Sequence, residues 1–239
     1  MSGHSKWSTI KRKKGALDAA RSKVFQKFAK EIFVAAKSGE ANIETNSTLR
    51  MAVDKAKSAN MPKDKIESAI NKAKGTSASE NYEDIRYEGY GTAGVALIID
   101  CLTDNKNRTA AQVRAAFTKK GGNLGTDGSV AYLFKRQGLL VFEKELTEDD
   151  VMTVALENNA LDFKFEDETF EIVTDPNDFS LMKEKIDELG VSDYIVSEIT
   201  HQPINEMEVD LATKEKVEGL IDALEDLDDV QNVYHNIKQ

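Results

Sequence analysis

The spacing of apolar residues changes near residue 75, and this change divides the chain into two parts that must fold differently. Between residues 16 and 37, apolar side chains recur three or four positions apart, as on one face of a helix. Two shorter helices are expected at residues 46–59 and 63–73, because Pro62 ends the first and is well placed to begin the second. The first 75 residues therefore predict a three-helix module, and a small polar linker follows it to about residue 80.

Beyond the linker the pattern mixes strands with helices. Residues 139–198 predict a complete βαββαβ unit, the order of a ferredoxin-like fold. Its elements are expected at residues 139–142, 148–158, 161–165, 170–173, 178–189 and 193–198. A strand, a helix and a strand precede the unit at residues 95–102, 107–120 and 130–134, and another such set follows it at residues 206–211, 214–227 and 230–234. Joined together, the two flanking sets form a second βαββαβ unit, in which strands 130–134 and 206–211 share one sheet.

The predicted fold class is α+β, with an N-terminal three-helix module followed by two ferredoxin-like α/β modules, the third inserted into the second. The expected domains are a basic helical domain at residues 1–75, a discontinuous α/β domain at 80–136 plus 205–239, and an inserted ferredoxin-like domain at 137–204. No run approaches 18 apolar residues, and no apolar stretch follows the first charges, so we expect neither a membrane span nor a signal peptide. We expect a cytoplasmic monomer.

Charge is divided at the same point as the apolar pattern. Residues 1–75 hold 17 Lys and Arg against 7 Asp and Glu, a net charge of +10, whereas residues 76–239 hold 15 against 35, a net charge of −20. The densest basic run, residues 5–14, interleaves five cations with the only Trp of the protein. Such an arm suits a polyphosphate, because its cations neutralise phosphates and an aromatic ring can stack on an unpaired base. The alternative is a solvated tail whose Trp packs on its own helix.

We expect the arm and the first helix to bind nucleic acid. The residues predicted to do so are Lys6, Trp7, Lys11, Arg12, Lys13, Lys14, Arg21, Lys23 and Lys27.

Five separated motifs, in order along nearly the whole chain, resemble one family. They are GHSKW at residues 3–7, SANMPKD at 58–64, TDNKNRT at 103–109, GGNLG at 121–125 and LEDLDDVQNVY at 224–234. Together they resemble the YebC/PmpR family, which includes the mitochondrial translational activators of cytochrome oxidase. The resemblance implies a three-domain protein that acts as a DNA-binding transcriptional regulator or as a ribosome-associated factor that relieves stalls at proline-rich stretches. Ser22 departs from the family pattern, which has glycine there, but serine is tolerated in a helix.

The third and fourth motifs add candidate contacts. Arg108 falls in the first turn of its predicted helix, beside backbone N–H groups that can bind phosphate, and Arg114 follows six residues later. Asn105 and Asn107 suit turn and N-cap roles. Residues 121–128 hold four glycines, more than a capping turn needs, which favours a loop whose backbone approaches a partner closely. We predict that Gly121, Gly122 and Asn123 contact RNA; the alternative is a plain connector.

Enzymatic alternatives have little support in the sequence. Carboxylates cluster at residues 218–229 and could hold Mg²⁺, but no nucleophile, His or phosphate-binding loop accompanies them, so a solvated acidic face is favoured. Cys101 lies in an apolar strand and is expected to be buried and reduced. The three histidines, His4, His201 and His235, are far apart and have no metal-ligand spacing. We therefore expect no cofactor, no metal site and no enzymatic activity.

These patterns, with the resemblance, predict a ribosome-associated translation factor that binds rRNA and relieves stalling at proline-rich stretches. The alternative is a DNA-binding transcriptional regulator, which would need Arg, Asn or Gln on a recognition helix and usually a dimer. The basic helices offer mostly Lys, which suits phosphate better than base edges. Residues 137–239, with 7 basic against 28 acidic side chains, would be repelled by RNA or could meet a basic protein.

Overall fold

The computed structural model describes residues 18–75 and 82–238, with side chains from residue 22 on. Its helices are α1 (Asp18–Ser38), α2 (Ser47–Ser58), α3 (Lys63–Gly75), α4 (Lys106–Lys119), α5 (Glu148–Glu157), α6 (Phe179–Glu188) and α7 (Leu211–Glu225). Its strands are β1 (Glu83–Tyr90), β2 (Ala96–Thr103), β3 (Asn123–Leu124), β4 (Phe134–Glu143), β5 (Asp162–Glu166), β6 (Thr169–Thr174), β7 (Val196–Pro203) and β8 (Val230–His235). The predicted α+β class, with its N-terminal helical part, is confirmed. Within the described ranges no helix is long and apolar enough to cross a membrane.

The three N-terminal helices share one small core. Phe25 and Ile32 of α1 pack against Leu49 and Val53 of α2 and against Ile66 of α3. The turn between α1 and α2 is closed by Asn46, whose side chain accepts from the Leu49 N–H at 3.0 Å and donates to the carbonyl of Ala35 at 2.9 Å. The helical spacing read from the sequence therefore produces the predicted three-helix module.

The first sheet has the strand order β3-β1-β2-β8, and all its neighbouring strands are antiparallel. Helices α4 and α7 cover one face, where Val113, Phe117 and Leu220 pack against Leu97 and Ile99 of β2. Because β8 pairs with β2, the C-terminal segment returns to the part of the chain that precedes the second sheet.

The second sheet has the order β5-β6-β4-β7, again antiparallel throughout. Its chain order βαββαβ with this strand order is the ferredoxin-like arrangement predicted for the inserted module. Phe142 of β4 and Phe170 of β6 stack at 5.3 Å between ring centroids, and Met182 and Ile186 of α6 join their core. The last strand, β7, begins three residues later than predicted and runs through Pro203.

Two predicted strands of the first sheet are wrong. Residues 130–134 do not form a strand, because Ala131–Leu133 is a 3₁₀ turn and Phe134 opens β4 of the other sheet. Residues 206–211 make only a single parallel bridge, Met207 with Ile237, before Asp210 caps α7 by accepting from the Thr213 N–H at 2.7 Å. The alternating apolar residues there, Met207 and Val209, are partly buried against the core and do not belong to a sheet strand.

A strand that the pattern did not predict completes the first sheet. β1, at Glu83–Tyr90, lies between β3 and β2 and pairs with β2 along its whole length. The sheet thus has the ferredoxin-like strand order, but one of its strands, β1, comes from the chain before β2. The expectation that residues 130–134 and 206–211 share a sheet is wrong. The domain boundaries given above stay a prediction.

Candidate nucleic-acid interface

The basic arm lies outside the described residues. This holds for Lys6, Trp7, Lys11, Arg12, Lys13 and Lys14, and for the side chain of Arg21, whose backbone belongs to α1. Their predicted contacts with nucleic acid stay predictions.

The basic face of α1 meets the carboxyl end of α7. Lys23 Nζ lies 3.2 Å from a carboxylate oxygen of Asp226 and also donates to the Asp226 carbonyl oxygen. Lys27 Nζ donates to the carbonyl of Glu225 at 2.6 Å. A helix C-terminus carries partial negative charge and unpaired carbonyls, so lysines are stabilised there. Two of the lysines predicted to bind nucleic acid are therefore held by the acidic part of the same chain.

Asp229 is the centre of this junction. The residue is only 4% exposed, and its carboxylate accepts from Lys30 Nζ at 3.0 Å, from Arg108 Nη2 at 2.6 Å and from Thr109 Oγ1 at 2.9 Å. Burial raises the pKa of Asp229, but the hydrogen bonds from Arg108, Lys30 and Thr109 outweigh it and hold that pKa below its ordinary value. Asp229 thus joins α1, α4 and the start of β8. We call Lys23, Lys27, Lys30, Arg108, Asp226 and Asp229 the junction cluster.

Arg108 and Asn105 lie at the start of α4, as the sequence predicts. Asn105 is the N-cap and accepts from the Arg108 N–H at 3.0 Å, which confirms the capping interpretation for that residue, while Asn107 lies inside the helix. The guanidinium of Arg108 binds Asp104 at 2.8 Å as well as Asp229. Its predicted phosphate contact would have to compete with these two carboxylates. Arg114 lies on the solvent side of α4, in a shallow depression with Lys119 and three alanines.

All four glycines of the loop after α4 have reasons within the fold. Gly121 and Gly128 have φ angles of +75° and +81°, which side-chain-bearing residues rarely adopt. A Cβ on Gly122 would lie 2.8 Å from the Tyr90 carbonyl oxygen, and one on Gly125 would lie 2.3 Å from Ser129 Oγ. The excess of glycine therefore does not indicate a partner, and the contact predicted for Gly121, Gly122 and Asn123 stays a prediction without that support.

Glu88 is a buried residue at this loop that the sequence analysis did not identify. The residue is 3% exposed, and its carboxylate accepts from the backbone N–H groups of Gly128, Val130 and Ala131 at 3.0, 2.7 and 2.9 Å. Burial raises the pKa of Glu88, but these three hydrogen bonds outweigh it, and the pKa lies below its ordinary value. The carboxylate of Glu88, on β1, thus fixes the loop. The sequence did not indicate this role, because β1 itself was not predicted.

Two of the residues considered for an enzymatic role, Asp229 and Cys101, are buried in the structure. Asp229, the buried member of the C-terminal acidic cluster, is neutralised within the junction cluster. No group of three or more His, Cys, Asp or Glu suited to a metal ion occurs in residues 18–75 and 82–238. Cys101 is 2% exposed, and burial raises the pKa of its thiol to about 12, so it is a thiol at neutral pH, as expected of a buried strand residue.

The fold and its charges define a class: an α+β protein of two antiparallel sheets with a basic helical part held on an acidic body. Residues 5–76 match the family model of the TACO1/YebC protein N-terminal domain, and residues 82–237 match that of the TACO1/YebC second and third domain. The chain belongs to the TACO1/YebC family.

Relatives that match nearly the whole length of the chain support this membership. A probable transcriptional regulatory protein of Geobacillus kaustophilus is 51% identical over 100% of this chain and 98% of its own. One of Francisella tularensis is 51% identical over 99% and 95%. The crystal structure of a conserved hypothetical protein from Aquifex aeolicus superposes with a TM-score of 0.81 at 43% identity, covering 92% of this chain and 91% of that one.

Proposed function

We propose that this protein is a nucleic-acid-binding regulator of gene expression, and that its nucleic acid is ribosomal RNA. On this proposal it acts on the ribosome in the cytoplasm and relieves stalling at proline-rich stretches, without enzymatic activity of its own. The resemblance noted in the sequence supports the stalling role.

The proposal is supported by the predominance of lysine over arginine in the helical part. Residues 22–75 hold ten lysines and one arginine, Arg50. The guanidinium of Arg50 donates to the carbonyls of Ile43 at 3.1 Å and Glu44 at 2.6 Å. Arginine reads guanine through two parallel hydrogen bonds, whereas lysine meets phosphate as a point charge. The described helical surface therefore suits a phosphate backbone better than base edges.

A DNA-binding transcriptional regulator is the second candidate. It is favoured by the relatives, which are named probable transcriptional regulatory proteins, and these names fit it better than they fit the ribosomal role. In this chain, α4 offers base-reading side chains, since Gln112 and Arg114 are exposed on it.

One comparison separates the two candidates. The full-length protein is sedimented with ribosomes of its host, and ribosome positions and transcript levels are measured in cells with and without it. The ribosomal proposal predicts co-sedimentation and new pauses at consecutive proline codons before transcript levels change. Unchanged ribosome positions, together with a promoter site protected at physiological salt with a specificity ratio above about 10³, would replace it by the transcriptional candidate.

The glycine loop needs a gentler test than deletion. Residues 122–125 include β3 and two glycines that pack against their neighbours, so removing them would damage the first sheet. Asn123→Ala, which changes an exposed side chain, keeps the loop. A contact of this loop with RNA predicts weaker binding for that variant with unchanged thermal stability.

A further inference from the structure

A positively charged area lies where β4 and β7 extend beyond the rest of the second sheet. The first residues of β4, 134–137, pair with β7 but not with β6, whose pairing with β4 begins at Gly138. Residues 128–142 and 199–205 contain no Asp or Glu, although residues 76–239 contain 35. The same two segments carry Lys135, Arg136 and His201. This is a cationic area on an otherwise acidic body.

An exposed aromatic ring borders this area. The side chain of Tyr132 is 66% exposed, while its neighbours Val130 and Phe134 are buried. The turn that carries it is fixed, because Glu88 binds the N–H groups of Val130 and Ala131 and the carbonyl of Leu133 accepts from the Ile204 N–H at 2.9 Å. Beside this turn the hydroxyl of Tyr90 donates to the carbonyl of Ser129 at 2.8 Å. The backbone that carries Tyr132 is thus fixed, and the residue itself faces solvent.

The two cations flank the open edge of β4. Both are exposed, and neither makes an ion pair with another described residue. Arg136 lies opposite His201 in the strand register, and His201 Nε2 is 2.7 Å from Arg86 Nη2. Arg86 in turn binds the carboxylate of Asp100 at 2.8 Å. Lys135 and Arg136 therefore carry positive charge that no carboxylate of the described residues pairs with.

We propose that Tyr132, Lys135 and Arg136 form a contact for single-stranded RNA, with an unpaired base stacked on Tyr132 and the adjoining phosphates at Lys135 and Arg136. An exposed ring beside cations is the arrangement by which proteins hold single strands, because every base has a face that can stack. A free strand edge could also take a peptide strand, but the ring and the absence of carboxylates favour an anionic polymer with aromatic bases. The contact rests on the nucleic-acid binding proposed above and adds a site far in sequence from the basic arm.

Binding of the full-length protein to a labelled single-stranded oligoadenylate, and to a duplex of equal length, tests the contact over a range of salt concentrations. Tyr132→Ala should weaken single-strand binding about 5- to 150-fold and leave duplex binding unchanged, whereas Tyr132→Phe, which keeps the ring, should bind like the parent. Lys135→Ala with Arg136→Ala should lower the salt slope by about 1.4, as two fewer phosphate contacts on a single strand would. All three positions are exposed, so the variants should melt like the parent.

Leu156→Ala is the matched control, because Leu156 on α5 is also 66% exposed and apolar but lies on the acidic body. It should leave both affinities unchanged. The proposal is overturned by unchanged single-strand affinity and slope in the Tyr132 and Lys135/Arg136 variants, or by an equal loss of duplex binding in Tyr132→Ala; unchanged binding would leave the edge to a peptide partner. Co-sedimentation with ribosomes is scored separately, so a protein that binds single strands through Tyr132 but not ribosomes contradicts the proposed function alone.

Discussion

Single buried charges hold the parts of this protein together, and each is matched by specific partners. Lys55 of α2 lies 3.3 Å from Glu31 of α1 and 3.5 Å from Glu198 of β7. Burial lowers the pKa of Lys55, but the two carboxylates outweigh it and raise the pKa above its ordinary value. Glu88 is the corresponding acid in the first sheet. Buried charges of this kind destabilise strongly when one partner is removed.

Glu88→Gln should destabilise the protein by about 1–3 kcal/mol at neutral pH, because its amide group would face backbone N–H donors that the carboxylate now satisfies. The pKa of Glu88 is lowered in the folded protein, so its contribution is fully present above the ordinary value of 4.5 and is lost as pH falls through the lowered pKa. Urea unfolding of parent and variant between pH 7 and about pH 3 measures this difference.

The difference in the free energy of unfolding between the parent and Glu88→Gln should therefore shrink as the solution is acidified below pH 4.5. Glu145→Gln, at an exposed position, is the control and should change the free energy of unfolding little at any pH. A difference between parent and Glu88→Gln that stays constant down to pH 3 would contradict the role given to the carboxylate.

At the scale of elements, the sequence predicts helices well and the first sheet poorly, for physical reasons. α1 and α4 have a periodic apolar face and, for α4, a capping Asn105, all of which are local signals. β1 has neither signal, because only Gly89 and Glu88 of its eight residues are buried and one of them is a charge. Residues 206–211 alternate like a strand, yet Asp210 ends the extended segment by capping α7.

The candidate site shows the same division between local and long-range information. Lysines at positions 23 and 27 could be assigned to one helix face from spacing alone. Their partners, Asp226 and the Glu225 carbonyl, lie about two hundred positions away, with separations of 203 and 198 residues. The pairing of β8 with β2 brings that end of α7 to α1. This long-range pairing cannot be predicted from the periodicity of residues along the chain.

The basic arm is an element whose role rests on charge, and replacing Lys11, Arg12, Lys13 and Lys14 by Ala tests it. About four phosphate contacts should be lost, which lowers the salt slope for duplex-like RNA by up to roughly 3 to 4 while folding stays intact. The control replaces four lysines of the acidic part, Lys185, Lys214, Lys216 and Lys238, with the same change in net charge. Equal slopes for parent and arm variant would show that the arm is a solvated tail.

Trp7 within this arm is expected to act by stacking rather than by charge. Trp7→Ala should weaken RNA binding by roughly 1 to 3 kcal/mol with little change in the salt slope, and Trp7→Phe should recover part of the loss. Titrations at two salt concentrations separate the two effects. A loss of slope without loss of affinity at low salt would point to a disturbed arm instead of a lost stack.

At the scale of the whole molecule, the acidic part meets the basic helical part within one chain. The carboxyl end of α7 and Asp229 bind the lysine face of α1, so positive charge that could reach phosphate is held by the protein itself. A small cavity lined by Lys23, Gln26, Lys27, Lys30 and Asp228 lies at the same place. RNA that uses Lys23 or Lys27 must therefore compete with this end of α7.

Asp229→Asn tests whether the junction cluster holds the helical part on the body. Asp229 is only 4% exposed, and the change removes the charge that Lys30 and Arg108 bind there, so that Arg108 keeps only Asp104 as a charged partner. Breaking such a buried pair costs about 3 kcal/mol. Backbone hydrogen exchange should become faster in α1 and in the first turn of α4, while the second sheet, which does not contact Asp229, should exchange as in the parent. Asp228→Asn removes the same charge one residue earlier, at an exposed side chain, and should leave α1 unchanged.

The same two variants test whether Lys23 and Lys27 reach phosphate. If they do, the Asp229 variant, in which α1 is less firmly held, should bind RNA more tightly than the Asp228 variant. Equal exchange in the two variants would show that contacts other than Asp229, among them the Lys55–Glu198 ion pair, hold the helices in place. Equal RNA affinity would remove Lys23 and Lys27 from the binding surface.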